Sequence, residues 1–293
     1  VLPNHTPFTF LPNPSIGGTS GCILAHTLST SPSRPRTLLL EAGTTPSGAY
    51  LRAPFHRFLP AALRPDLDHG YVSEPEAYLH NRTIVYTRGK GLGGSSILNF
   101  GVYLYGARDD YAAWAEDVGD EEWGWEAVQK SFHEIETYDV GNGYNGLADA
   151  SGSGHGTTGL LKVGVPPTLE KGVEQQMRAM LDGGETICLD PNDGDPIGVS
   201  VMPYSYSKEG RSTSALAFLA DAGSNLEVWT GAKAERLVWE GTRVVGVVCE
   251  DGREGTHSYS CFLRSVQRRC VEEVLMARHS TRKQRSHTLR RHL

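Results

Sequence analysis

The stretch RGKGLGGSSILNFGVY, residues 88–103, holds five glycines and two serines and turns apolar and β-prone in its second half. Glycine inside a regular element is destabilising by roughly 0.5–1 kcal/mol relative to alanine. A segment that keeps so much bare backbone needs main-chain angles closed to other residues, or something must approach its main chain closely.

Upstream, Gly17-Gly18-Thr19-Ser20-Gly21 leads into CILAHTLS. This reads as a glycine turn opening a helix, with Cys22, Ile23, Leu24, Ala25 and Leu28 as its buried stripe. After TSPSRPR comes TLLLEAG (37–43), a short apolar run that suits a strand buried on both faces of a parallel sheet. Turn, helix and strand of this length make most of a βαβ unit. The glycines form the back half of a dinucleotide fingerprint, in which bare backbone lets a pyrophosphate reach the main chain and the helix N-terminus supplies free N–H groups. Glu41 lies 20 residues beyond Gly21, where a carboxylate can accept hydrogen bonds from a ribose diol. A nicotinamide-dependent dehydrogenase would explain these residues equally, but not the glycine-serine stretch. Ile16 stands where the fingerprint has its first glycine. The preceding PFTFLPNPS carries Pro7, Pro12 and Pro14, which lack ladder N–H groups, so a first strand here is expected to pair badly.

Downstream, DDYAAWAED and WEAVQKSFHEIETY are predicted helices, the second with Trp125, Val128, Phe132 and Ile135 on one face. ASGSGHGTTG (150–159) reads as a flexible loop and LEKGVEQQMRAML (169–181) as another amphipathic helix. LEVWTGAKAERLVWEGTRVVGVVCEDG (226–252) reads as β-strands with a turn at 240–242. The 293 residues carry a net charge of −6, giving no reason to expect a nucleic-acid partner. The charge is uneven: residues 264–293 hold nine Lys/Arg against Glu272 and Glu273. Five scattered cysteines show no metal-ligand spacing, and their odd number argues against a disulfide scaffold. No apolar run approaches the roughly 20 residues of a membrane span. Asn4-His-Thr6 and Asn81-Arg-Thr83 match glycosylation sequons, and the compartment stays open.

GKGLGGSSILNFGVYLYGARDDYA (89–112) resembles the first signature of the glucose-methanol-choline (GMC) oxidoreductases, FAD-dependent enzymes acting mostly on alcohols. GGTSGCILAHTLS and TLLLEAG are similar to that family's FAD-binding N-terminus, HGTTGLLKV (155–163) to the opening of its substrate domain, and GRSTSALAFL (210–219) with residues 225–247 to the return. The resemblance implies an α/β fold: a Rossmann-like parallel-sheet FAD-binding domain with an inserted α+β substrate domain, truncated at the C-terminus. It implies that Gly18, Thr19, Ser20 and Gly21 hold the FAD pyrophosphate and Glu41 the adenosine ribose. Gly91 and Ser95 would line the cofactor, Asn99, Phe100, Gly101 and Val102 would pass close to the flavin, and the Ala234 backbone would contact adenine. Leu98 occupies a slot where some members carry a histidine joined to the flavin, which implies non-covalent FAD.

The expected organisation is a first FAD-domain part over 1–105, a FAD-covering and substrate-domain segment over 106–224, a return over 225–277, and a basic tail, disordered or out of frame, over 278–293. The implied activity is hydride transfer from an alcohol CH–OH group to flavin, with a small-molecule alcohol as partner. Neither the alcohol nor the electron acceptor is named by the sequence. The family's histidine base lies in a C-terminal half beyond this resemblance, so no catalytic residue is assigned. His26 reads as a helix-surface residue and His155 as part of a mobile loop. The alternatives are a catalytically inactive truncated fragment, or a non-redox FAD-containing branch such as a hydroxynitrile lyase or cyclase.

Overall fold

Thr37, Leu38, Leu39 and Leu40 are all buried in succession, which requires both faces of their strand to be covered. In this computed structural model, which describes residues 8–10, 17–53, 64–141, 143–241, 243–251 and 254–256, that strand lies at the middle of a parallel sheet. In chain order the strands are β1 Phe8–Phe10, β2 Arg36–Leu40, β3 Tyr71–Val72, β4 Val85–Tyr86, β5 Glu136–Asp139 and β6 Leu161–Gly164. They continue with β7 Tyr206–Ser207, β8 Gly210–Arg211, β9 Leu226–Trp229, β10 Ala234–Glu240, β11 Arg243–Cys249 and β12 Glu254–Thr256. The parallel sheet has the order β1-β2-β9, and β10-β11-β12 form an antiparallel meander.

The strand before Gly17 departs from expectation. Phe8–Phe10 pairs in parallel register with Arg36–Leu38. The three residues fall within the proline-free gap between Pro7 and Pro12, so a short ladder needs no N–H that the sequence lacks.

Helix α1, Thr19–Thr30, packs on this sheet through Cys22 and Ala25, which join Leu38, Leu39, Leu40, Leu92 and Val247 in one core. Its buried face consists of the small residues Cys22, Ala25 and Ser29, which let helix and sheet approach closely. Leu24, expected inside, is 49 % exposed because it falls on the opposite side of that narrow face. Further helices are Arg108–Val118, Trp125–Ile135 and Val173–Asp182. A second core gathers Tyr144, Leu147, Ala148, Met177, Val199 and Val201. Among the described residues no helix is long and apolar enough to cross a membrane. Ile16, Thr242 and the expected basic tail 278–293 lie outside the described residues.

The helix expected to run to Tyr138 ends at Ile135, and β5 takes over, paired in parallel with β6. Thr137 and Tyr138 favour extended backbone, and Glu136 has three partners waiting there. Its Oε1 accepts the Tyr105 hydroxyl at 2.6 Å and the Gly156 N–H at 2.9 Å, and lies 2.9 Å from His155 Nδ1. His155 is therefore buried rather than mobile. Its Nε2 faces Asp190 Oδ2 at 3.2 Å, and its ring stacks on Tyr138 with centroids 3.5 Å apart. This clamp fastens the 150–159 loop to β5.

Burial opposes a charge on His155, yet Asp190 and Glu136 outweigh it and push its pKa up to about 9. An unfolded histidine releases its proton near 6.5. The clamp's contribution is thus complete below about pH 6.5 and disappears as pH climbs through 9. Thermal unfolding followed from pH 6.5 to 9 is expected to show a falling midpoint, and His155→Gln to flatten that fall. Equal slopes for the two proteins would contradict the clamp.

Candidate functional site

Three chain segments meet where α1 begins. The Gly17 N–H donates to the Leu40 carbonyl at 2.8 Å, and the Gly17 carbonyl accepts the Gly93 N–H at 2.7 Å. A Cβ placed on Gly94, whose φ is +53°, would lie 2.6 Å from Gly18 Cα; one on Gly17 would lie 2.8 Å from Glu41 Cβ. One on Gly89 would meet the Gly94 carbonyl oxygen at 2.1 Å. The glycines of the 88–103 stretch are thus required by main chain packed on main chain, and by left-handed backbone at Gly93 and Gly94. Serines finish the knot. Ser95 Oγ accepts the Gly89 N–H at 3.2 Å, Ser96 Oγ accepts the Ser214 N–H at 3.1 Å, and Ser214 Oγ donates to the Thr19 carbonyl.

This packing fixes the head of α1. Gly18 stands at the cap position and offers no side chain to the first-turn amides of Thr19, Ser20 and Gly21. Those amides and the helix dipole favour an anion. Glu41 follows β2 directly. Its N–H donates to the Trp229 carbonyl at 2.9 Å and its carbonyl accepts the Ala232 N–H at 2.8 Å, two residues before β10 begins at Ala234. The Glu41 side chain is fully enclosed: Oε1 accepts the Gly43 N–H at 2.8 Å, while Oε2 has no partner. Burial, only partly offset by backbone hydrogen bonds, raises its pKa above the ordinary carboxyl value. A buried acceptor without a donor is rare enough to call for an explanation. A hydroxyl-bearing ligand would supply the missing donor, and a diphosphate would suit the α1 amides.

Gly18, Thr19, Ser20, Gly21, Glu41, Gly91 and Ser95 are therefore gathered around one junction. Asn99, Phe100, Gly101 and Val102 continue beyond Ser96, on a strip held by a different set of contacts. Asn99 Oδ1 accepts the Gly101 N–H at 3.0 Å and Arg211 Nη1 at 2.7 Å. The Gly101 carbonyl accepts the Ser205 N–H at 2.7 Å, and Val102 bridges Tyr204. Phe100 and Val102 are 56 % and 43 % exposed, leaving an apolar strip open on this side. Sequence reading missed Ser96, Arg211 and Ser214. The polar run Arg211-Ser212-Thr213-Ser214, fully buried here, was the signal that could have found the last two.

The family model for GMC oxidoreductases matches residues 16–271. Pyridoxine 4-oxidase of Microbacterium luteolum is 34 % identical over 237 residues, covering 78 % of this chain and 44 % of that protein. Oxygen-dependent choline dehydrogenase of Burkholderia multivorans is 35 % identical over 246 residues, covering 81 % and 41 %. The crystal structure of pyridoxine 4-oxidase from Mesorbium loti superposes with a TM-score of 0.74 at 30 % identity, over 86 % of this chain and 48 % of that one. The chain spans less than half the length of these relatives. Matched over most of its length in sequence and sharing their α/β fold, the chain belongs to the GMC oxidoreductase family.

Proposed function

We propose that this chain binds FAD non-covalently and carries the cofactor side of an oxidoreductase that takes hydride from an alcohol CH–OH group. When bound, FAD would supply the hydride acceptor. The observation that carries this reading is the enclosed Glu41 Oε2, an acceptor without a donor beside the uncapped amides of α1.

In this reading the main chain of Gly18, Thr19, Ser20 and Gly21 holds the diphosphate, and Glu41 takes a ribose hydroxyl. Gly91 and Ser95 line the cofactor, Asn99, Phe100, Gly101 and Val102 border the flavin, and the Ala234 main chain lies beside adenine. Leu98 is buried with Leu51, Leu67 and Ile97 and has no atom able to bond covalently to a flavin. Residues 1–105 and 225–277 belong to the cofactor side, and 106–224 to the first part of the substrate side. The base that accepts the alcohol proton is assigned to no residue of this chain.

Titration of the protein with FAD, followed by flavin fluorescence, is expected to give saturable binding, and anaerobic addition of an alcohol panel reads bleaching. Binding with bleaching supports both halves of the proposal. Binding without bleaching retains the cofactor site and removes alcohol oxidation from this chain, and absence of binding overturns the whole. Glu41→Gln is expected to weaken FAD by about tenfold or more, the scale of a hydrogen bond to a charged acceptor. Its unfolding midpoint at pH 7 should hold or rise. A raised carboxyl pKa means the fold favours the neutral form, so the stability it lends is full below the ordinary value and lost as pH rises. Unchanged FAD affinity in this variant would remove Glu41 from the site. Gly94→Ala, at positive φ and against Gly18, is expected to destabilise the protein by about 1–3 kcal/mol in chemical denaturation. A neutral result would contradict the packing at the head of α1.

A further inference from the structure

Arg211 is the largest fully buried side chain among the described residues, at 1 % exposure. It lies on β8, opposite Tyr206 of β7, with its guanidinium carbon 5.3 Å from the Tyr206 ring centroid. One nitrogen, Nη1, donates both to the Ser96 carbonyl at 3.1 Å and to Asn99 Oδ1 at 2.7 Å. Nε and Nη2 have no partner, and no described carboxylate pairs with the charge. Enclosing a cation on these terms is unfavourable, so an apolar side chain of similar size would fold more easily at this position. What the charged group does, and an apolar one could not, is grip through Nη1 two acceptors three residues apart on another segment.

Those two acceptors anchor the start of the strip proposed to border the flavin. Ser96 is tied through its hydroxyl to Gly93 and Ser214, on the α1 side. Asn99 Oδ1 also receives the Gly101 N–H, which shapes the turn at Gly101, where φ is +76°. A Cβ at Gly101 would lie 2.5 Å from Tyr206 Cε2, so the strip is pressed onto the same ring that Arg211 covers.

We propose that Arg211 is a positioning residue, which holds segment 96–101 against the β7–β8 hairpin and so sets the surface offered to the flavin ring. This rests on the FAD reading above. Arg211 reaches the α1 side only through Ser96; the Gly17 bonds to Leu40 and Gly93 hold the head of α1, and Gly43, Trp229 and Ala232 hold Glu41, so the adenosine-diphosphate half of the site should depend little on Arg211.

The test compares FAD with ADP, which lacks the flavin half, on wild type, Arg211→Met, Asn99→Ala and the double variant. FAD is followed by fluorescence and ADP by calorimetry. Arg211→Met is expected to weaken FAD by about tenfold while ADP affinity stays within about twofold. The double variant should be no weaker toward FAD than the weaker single variant, because the two residues act through one contact. Equal loss of FAD and ADP affinity would mean a general structural role and overturn the proposal. So would unchanged FAD binding, or losses that multiply in the double variant. If Arg211→Met does not fold, Arg211→Lys, which keeps the charge without the planar fork, is read by the same FAD-to-ADP ratio. Wild type that binds neither ligand would refute the cofactor reading itself, and this proposal with it.

Discussion

The head of α1 and the glycine-serine loop touch through bare main chain, and the rest of the site depends on that contact. With Gly94 pressed against Gly18 and the Gly93 amide bonded to the Gly17 carbonyl, no side chain can stand between them. The loop thereby reaches from the end of β2 to the Tyr204–Tyr206 region and carries residues from both ends of the site on one continuous segment. Glycine is unfavourable in a regular element, but here it removes the Cβ atoms that would hold three segments apart. The first-turn amides of α1, which no side chain caps, make the junction suited to an anion.

Buried polar groups separate into two kinds. The Glu136–His155–Asp190 cluster is enclosed and carries opposite charges, with three partners gathered on Glu136 Oε1, as expected of a group that stabilises a fold. Glu41 and Arg211 are as deeply buried but incompletely satisfied, one with an idle acceptor and the other with idle donors. Both flank the glycine-serine loop, the first at the head of α1 and the second beside Tyr206. Other buried polar atoms also lack partners, Glu136 Oε2 among them; what distinguishes Glu41 is the uncapped head of α1 beside it, and what distinguishes Arg211 is a buried charge with no described carboxylate paired to it.

What could be read from the sequence was what local pattern determines. The apolar run at 37–40, the glycine turn into α1 and the strands at 226–249 each carry their signal within a few residues, and each appears in the fold. The approach of Gly17–Gly21 to Glu41 at the end of β2 was legible through spacing, since a βαβ unit fixes the distance from turn to next strand end. The misjudged residues were those decided by distant partners. His155 sits in a glycine-rich loop that looks mobile until Glu136 and Asp190 close on it. Arg211 meets Asn99 across 112 residues of chain, and nothing local announces the meeting. Leu24 was misplaced because the buried face of α1 is narrower than its hydrophobic composition suggests.

In the proposed site the uncapped amides at the head of α1 face the cofactor's diphosphate, with Gly91 and Ser95 of the glycine-serine loop lining the cofactor. Amide hydrogen exchange of the whole chain, read by mass spectrometry with and without FAD, tests it most directly. The account predicts slowed exchange in peptides spanning 17–21 and 89–96 when FAD is present. Unchanged exchange in both, with protection appearing elsewhere in the chain, would contradict it.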